Sequence, residues 1–99
     1  PAMTDPRPAA VPTLLADDGR LRATRWDFAP GATTGWHRHA HPYAVVPLTD
    51  CRFLLREPGG ERRATVAAGA AYSRPAGVEH EVVNGGDAPM SFVEVEVIG

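Results

Sequence analysis

The sequence predicts an all-β fold, a sandwich or a barrel, on three observations. Turn formers are dense, with ten Gly and ten Pro among 99 residues. Short runs of alternating character recur at roughly 8–12-residue spacing. No segment sustains a helical period over a window of about 11 residues. Closure is favoured, because an open sheet of this size would expose two edges.

The elements follow in order. Residues 1–16 read as a flexible lead-in, since Pro6, Pro8 and Pro12 oppose regular structure. Met3 looks like a natural start, which makes Pro1 and Ala2 an expression scar. Residues 17–99 read as one barrel domain. Asp17-Asp18-Gly19 is a weak turn signal before the first strand, Leu21 to Phe28, where Thr24, Trp26 and Phe28 alternate with Arg25 and Asp27. Pro30-Gly31 ends it. His37 to Leu48 reads as one extended run, bulged or on an edge because it contains Pro42 and Pro47. Cys51 to Glu57 and Arg62 to Val66 form a hairpin about Pro58-Gly59-Gly60. A strand near Ala70 to Arg74 stops at Pro75-Ala76-Gly77. His80 to Asn84 is extended, Gly85-Gly86-Asp87 turns, and Met90 to Ile98 closes as a Val-rich strand.

Bulk properties narrow the function classes. An apolar fraction of 43% is too high for a disordered chain. A net charge of −2 gives no electrostatic case for nucleic acid or an anionic membrane. No apolar run approaches the roughly 20 residues that span a bilayer, and no secretory segment is visible. The single Cys51 excludes an internal disulfide framework and suits the reducing cytoplasm. So short a chain buries a modest core, and the last strand alternates Val93, Val95 and Val97 with Glu94 and Glu96. Both features predict a homodimer.

The chemistry concentrates in four histidines. His37, His39 and His41 are two apart, so on a strand they share one face, and Tyr43 continues the row. Neutral imidazole is the commonest protein metal ligand, and neighbours on one pleat can grip one ion. A surface cluster of polar side chains is the competing reading. A further ligand must come from elsewhere, and His80 is the only histidine left.

Spacing adds to this. Gly31, five residues, His37, one residue, His39 matches the opening of the first cupin motif. Gly69, Pro75, Gly77, His80 and Asn84 match the second motif at every defined position. Over about residues 21–98 the chain resembles the cupin superfamily, which implies a single-domain double-stranded β-helix, a jelly-roll β-barrel. The strings Gly35-Trp36-His37-Arg38-His39-Ala40-His41 and Pro75-Ala76-Gly77-Val78-Glu79-His80 resemble the small cupins named beta-alanine degradation proteins. The resemblance implies His37, His39 and His80 as metal ligands. The family's glutamate ligand would stand at Tyr43, and a glycine seven residues later at Asp50. His41 or the Tyr43 hydroxyl is the alternative fourth ligand. The set implies one divalent transition ion, from Fe, Ni, Zn, Cu and Mn; missing carboxylates argue against Mg and Ca.

Two functions follow from the resemblance. One is a metal-dependent enzyme on a small molecule, similar to three-histidine dioxygenases that act on thiols or diketones. The other is a non-catalytic metal-bearing module that binds or senses a small ligand, favoured if the pocket holds no general acid or base. No catalytic residue is assigned. Trp26, Phe28, Phe53 and Phe92 read as core. Trp36, Glu79 and Glu81 should point away from the histidines. Arg38 and Arg74 read as solvated or interfacial, Cys51 as a small buried apolar residue, and Tyr72 as equally suited to either side of the barrel.

Overall fold

The computed structural model describes residues 7–99; the readings on Pro1, Ala2, Met3 and Pro6 lie outside them. Nine strands run in chain order: β1 Val11–Asp17, β2 Leu21–Phe28, β3 Thr33–Arg38, β4 Tyr43–Pro47, β5 Cys51–Glu57, β6 Gly60–Val66, β7 Tyr72–Arg74, β8 Glu79–Asn84 and β9 Met90–Val97. They form two sheets, ordered β1-β2-β9-β4-β7 and β3-β8-β5-β6, with every strand pair antiparallel. The sheets face each other as a jelly roll.

The core lies between them. Phe28 and Phe92 stack tilted at 5.4 Å, and Phe53 from the other sheet meets Phe92 edge-on at 5.9 Å. Tyr43, Val45, Cys51, Leu55, Val82 and Met90 pack on the same cluster. Cys51 is fully buried, and burial raises its thiol above the ordinary range. Trp36 is 53% exposed, facing away from the interior as alternation requires.

Two strands differ from the sequence reading. Val11–Asp17 of the expected lead-in forms β1, which pairs with β2 from Val11 opposite Asp27 to Asp17 opposite Arg22. Proline did not prevent this, because β1 is an edge strand, where a missing N–H is tolerated. Thr33 pins the preceding residues, accepting from Ala10 N at 2.8 Å and donating its own N–H to Pro8 O at 2.9 Å. Second, the run His37 to Leu48 is broken. β3 ends at Arg38 and β4 begins at Tyr43 in the opposite sheet. Residues 40–41 bend ahead of Pro42, which supplies no ladder donor and restricts the residue before it. Pro47 is tolerated because it ends β4.

The turns are built locally. In the β1–β2 turn, Asp18 Oδ1 accepts from the N–H groups of Arg20 and Leu21 at 2.9 and 2.8 Å, which holds its carboxyl below the usual range. Gly77 adopts φ +94° before β8, a backbone state that favours glycine. Asn84 is 2% exposed. Its amide donates to Ala88 O at 2.8 Å and Phe28 O at 3.3 Å, while its Oδ1 accepts from Gly86 N at 3.0 Å.

Candidate metal centre and cavity

β3 and β8 pair so that His37 stands directly opposite His80. His39 lies one residue beyond β3, yet its backbone stays paired: its N–H donates to Val78 O and its carbonyl accepts from Gly77 N, both at 2.8 Å. The Gly77 turn therefore carries both His39 and the approach to His80. The three rings converge. His39 Nε2 is 3.0 Å from His37 Nε2 and 3.1 Å from His80 Nε2. All three ligand atoms lie within 4.8 Å of one another.

This donor set fits a metal ion. An ion about 2.1 Å from each nitrogen places ligands at right angles about 3.0 Å apart, which the two short separations match. The protonation states agree. Burial first, then mutual repulsion with His37, lowers the His39 and His80 imidazoles to about 4, so both are neutral near pH 7. His37 Nδ1 lies 3.0 Å from Gly35 O. A carbonyl only accepts, so Nδ1 carries the proton and Nε2 keeps its lone pair for the cluster. Thr34 Oγ1, 3.3 Å from the same Nδ1, is fixed by accepting from Val82 N at 3.0 Å and donating to Gly35 O at 2.8 Å.

The alternative fourth ligands are placed differently. His41, in the bend after β3, lines the same cavity but is not part of the cluster. Tyr43 stacks its ring on His39, with centroids 3.8 Å apart and planes inclined by 19°. It braces His39 through its face. Among the described residues its hydroxyl is buried without a partner, and burial pushes it up to about 12. Asp50, at the expected glycine, accepts from Ala68 N at 2.9 Å.

The histidines open on a cavity of about 370 Å³, the size of a small-molecule site. Phe53 and Val82 line one sheet's side; Arg22, Trp26, Tyr43, Val45, Tyr72 and Phe92 line the other. Tyr72 thus faces inward, and Arg38 also borders the cavity. Glu79 and Glu81 do not line it; Glu81 is buried on the outer side, bonded to Arg56 at 3.2 Å and to Thr33.

Sequence reasoning missed two residues. Glu94 and Glu96 of β9 both line the cavity. Arg22 holds Glu96 through two parallel bonds, Nε–Oε1 at 3.0 Å and Nη2–Oε2 at 3.1 Å. Glu94, by contrast, is raised to about 7, by burial first and by repulsion from Glu96 second. The alternation of Val93 to Val97 was visible, but not which face of the strand the barrel encloses.

Comparison with known proteins agrees with the fold. The Cupin domain family model matches residues 24–96. Beta-alanine degradation protein BauB of Pseudomonas aeruginosa is 54% identical over 91 residues, covering 92% of this chain and 96% of that protein. The crystal structure of a cupin domain from Bordetella pertussis Tohama I is 44% identical, with a TM-score of 0.92 over 97% of this chain and 100% of that one. A double-stranded β-helix protein from Klebsiella pneumoniae shares the fold at 19% identity, with a TM-score of 0.74 over 92% of this chain and 78% of that one. With its paired motifs, its two facing antiparallel sheets and its converging histidines, this chain belongs to the cupin family, as a small cupin resembling BauB.

Proposed function

We propose that this chain is a metal-dependent oxygenase-type cupin acting on a small molecule, with His37, His39 and His80 holding one divalent transition ion. The observation that carries the reading is the convergence of three Nε2 atoms, two separations being 3.0 and 3.1 Å, on the wall of a cavity of about 370 Å³. Nitrogen donors without a carboxylate suit Fe, Ni, Zn, Cu or Mn. When bound, such an ion supplies Lewis acidity and, as iron, redox chemistry toward dioxygen.

The chain's own residues supply the rest. Gly35 and Thr34 orient His37, and Tyr43 braces His39. Phe53, Val82 and Phe92 give the cavity an apolar lining that favours displacement of water by substrate. The Pseudomonas relative is named for β-alanine degradation. That name supports a small amino-acid-derived substrate here. The single Cys51 supports a cytoplasmic setting. The non-catalytic reading drew its support from a pocket without an acid or base, and Glu94 and Glu96 in the cavity remove that support.

The test is anaerobic loading with each candidate metal, elemental analysis, then oxygen uptake across thiols, diketones and small carboxylates including β-alanine. One retained ion per chain with turnover supports the proposal. An ion retained without turnover under every combination returns the chain to the binding or sensing reading. No ion retained by the wild type, or an ion retained equally by His37→Ala and His80→Ala, sinks the metal centre itself.

A further inference from the structure

The β9 wall of the cavity carries charge that the metal reading does not use. Glu94 and Glu96 stand two residues apart on one face of that strand, but their surroundings differ. Glu96 is committed to Arg22. Among the described residues Glu94 has no hydrogen bond and no ion pair. Thr24 and Val45 stand opposite it on the two adjacent strands, and Val45 offers no polar side-chain atom. A second orphan borders the same cavity. Tyr43 is 4% exposed, and its buried hydroxyl has no partner among the described residues. Buried polar groups are nearly always paired in folded proteins. The half-buried Glu94 carboxyl, the Tyr43 hydroxyl and the Trp26 indole N–H, which is likewise buried without a partner among the described residues, line one cavity and mark a place for the polar end of a ligand. Tyr72, opposite Val45 on β7, brings a second phenol ring to the same wall. An unpaired carboxylate beside aromatic rings suits an ammonium, which gains a charge-assisted hydrogen bond and the attraction of the rings.

We propose that Glu94 is the cation-binding pole of the cavity: it receives the protonated amine of a small ligand whose other end reaches the three-histidine centre, with the Tyr43 hydroxyl as an accessory acceptor. The far end of that ligand rests on the metal reading; the amine end rests on Glu94 alone. The ligand class is a short molecule bearing an ammonium at one end and a metal-binding oxygen or sulfur at the other. The charged and titratable groups that share the cavity with Glu94 are Arg22 from β2, Tyr43 from β4, Tyr72 from β7, Glu96 from β9, and His37, Arg38, His39, His41 and His80 on the opposite side, with Glu96 and Arg22 acting on it most strongly. Glu94 is the one raised to about 7, so amine binding weakens as pH falls below that value and the carboxyl takes up a proton.

The experiment uses n-propylammonium, which has no metal donor, and 4-aminobutanoate with butanoate as its amine-free control. Propylammonium is titrated into metal-free and metal-loaded protein and followed by amide and carboxyl NMR. Expected are shifts at Val45, Tyr72 and Glu94 in both forms, with affinity reduced about tenfold or more in Glu94→Gln and unchanged in the exposed control Glu79→Gln. Metal-loaded protein should prefer 4-aminobutanoate over butanoate by about tenfold, and Glu94→Gln should erase that preference. If Glu94→Gln does not fold, the wild-type Glu94 carboxyl supplies the readout: its titration midpoint should fall at saturating propylammonium. An unmoved midpoint, an unchanged affinity in a folded Glu94→Gln, or binding away from the cavity overturns the proposal. Propylammonium binding in a protein that retains no ion leaves the cation pole standing and removes the metal reading. A retained ion without ammonium binding does the reverse.

Discussion

A histidine's usefulness to a metal is decided largely at its other nitrogen. The His37 Nδ1 proton is held by Gly35 O at 3.0 Å, and Thr34 Oγ1 lies beside it at 3.3 Å. Removing such outer partners typically costs 10–100-fold in metal affinity. Thr34→Val should therefore weaken metal binding by about 10-fold or more, measured by chelator competition, while His37→Ala and His80→Ala abolish it. Glu94 makes a prediction of opposite flavour. Its carboxyl is raised from 4.5 to about 7, so the fold disfavours the ionised form. Its ionisation penalty is absent below pH 4.5, grows between pH 4.5 and about 7, and is fully present above. Glu94→Gln should raise the unfolding temperature of metal-free protein near pH 8 and leave it almost unchanged near pH 4.5. The three clustered histidines were legible in the sequence because their spacing within two turn-bounded motifs is rigid. Glu94 was not, because charges alternating with valines read by default as a solvated face, and only the closed sheet turns that face inward.

Among the elements, β3 and β8 act as a unit. Their pairing sets His37 against His80, and the Gly77 turn between β7 and β8 also anchors His39. Gly77→Val would place a branched side chain at φ +94°, against the conformational preference of L residues. It should cost about 1–3 kcal/mol of stability and loosen metal binding more than an exposed substitution such as Glu79→Gln. Phe92 joins the two sheets, touching Phe28 at 5.4 Å and Phe53 at 5.9 Å. Phe92→Ala should cost about 3–5 kcal/mol by chemical denaturation. Most strands were legible from alternation between Gly and Pro turns, and their ends shift by only a residue or two. The break between β3 and β4 was harder to see. His37 to Leu48 keeps a β-like pattern throughout, and nothing local says that the chain crosses from one sheet to the other at Pro42. β1 was missed because proline was weighed without knowing that the strand would lie at an edge.

At the scale of the molecule, the proposed ion would be linked to the fold. His37 and His80 are separated by most of the chain's central strands, so an ion held by both binds only the folded state. At about 100 times its dissociation constant, such an ion adds about 2.7 kcal/mol. Removal by a chelator should lower the melting temperature by about 10 °C or more. Assembly is the second prediction at this scale. Every residue of β1 is exposed, Leu14 and Leu15 among them, and Leu21 and Val97 are exposed where β2 and β9 pair. An apolar, uncovered edge strand favours self-association. We propose a homodimer through this side, to be checked by light scattering at micromolar concentration; a monomeric mass contradicts it. One small feature reaches the character of the whole interior. Asn84 ties the loop that leads into β9, gripping Gly86, Ala88 and Phe28 from a buried position. That grip holds the loop from which the final strand enters the barrel in register with β2 and β4. Slipped by one residue, β9 would turn its valines to the cavity and its glutamates to solvent, and the vessel would become a greasy one. The choice between an oily and an acidic interior thus rests on one residue of register, held by this tethered loop and by the ladders to β2 and β4.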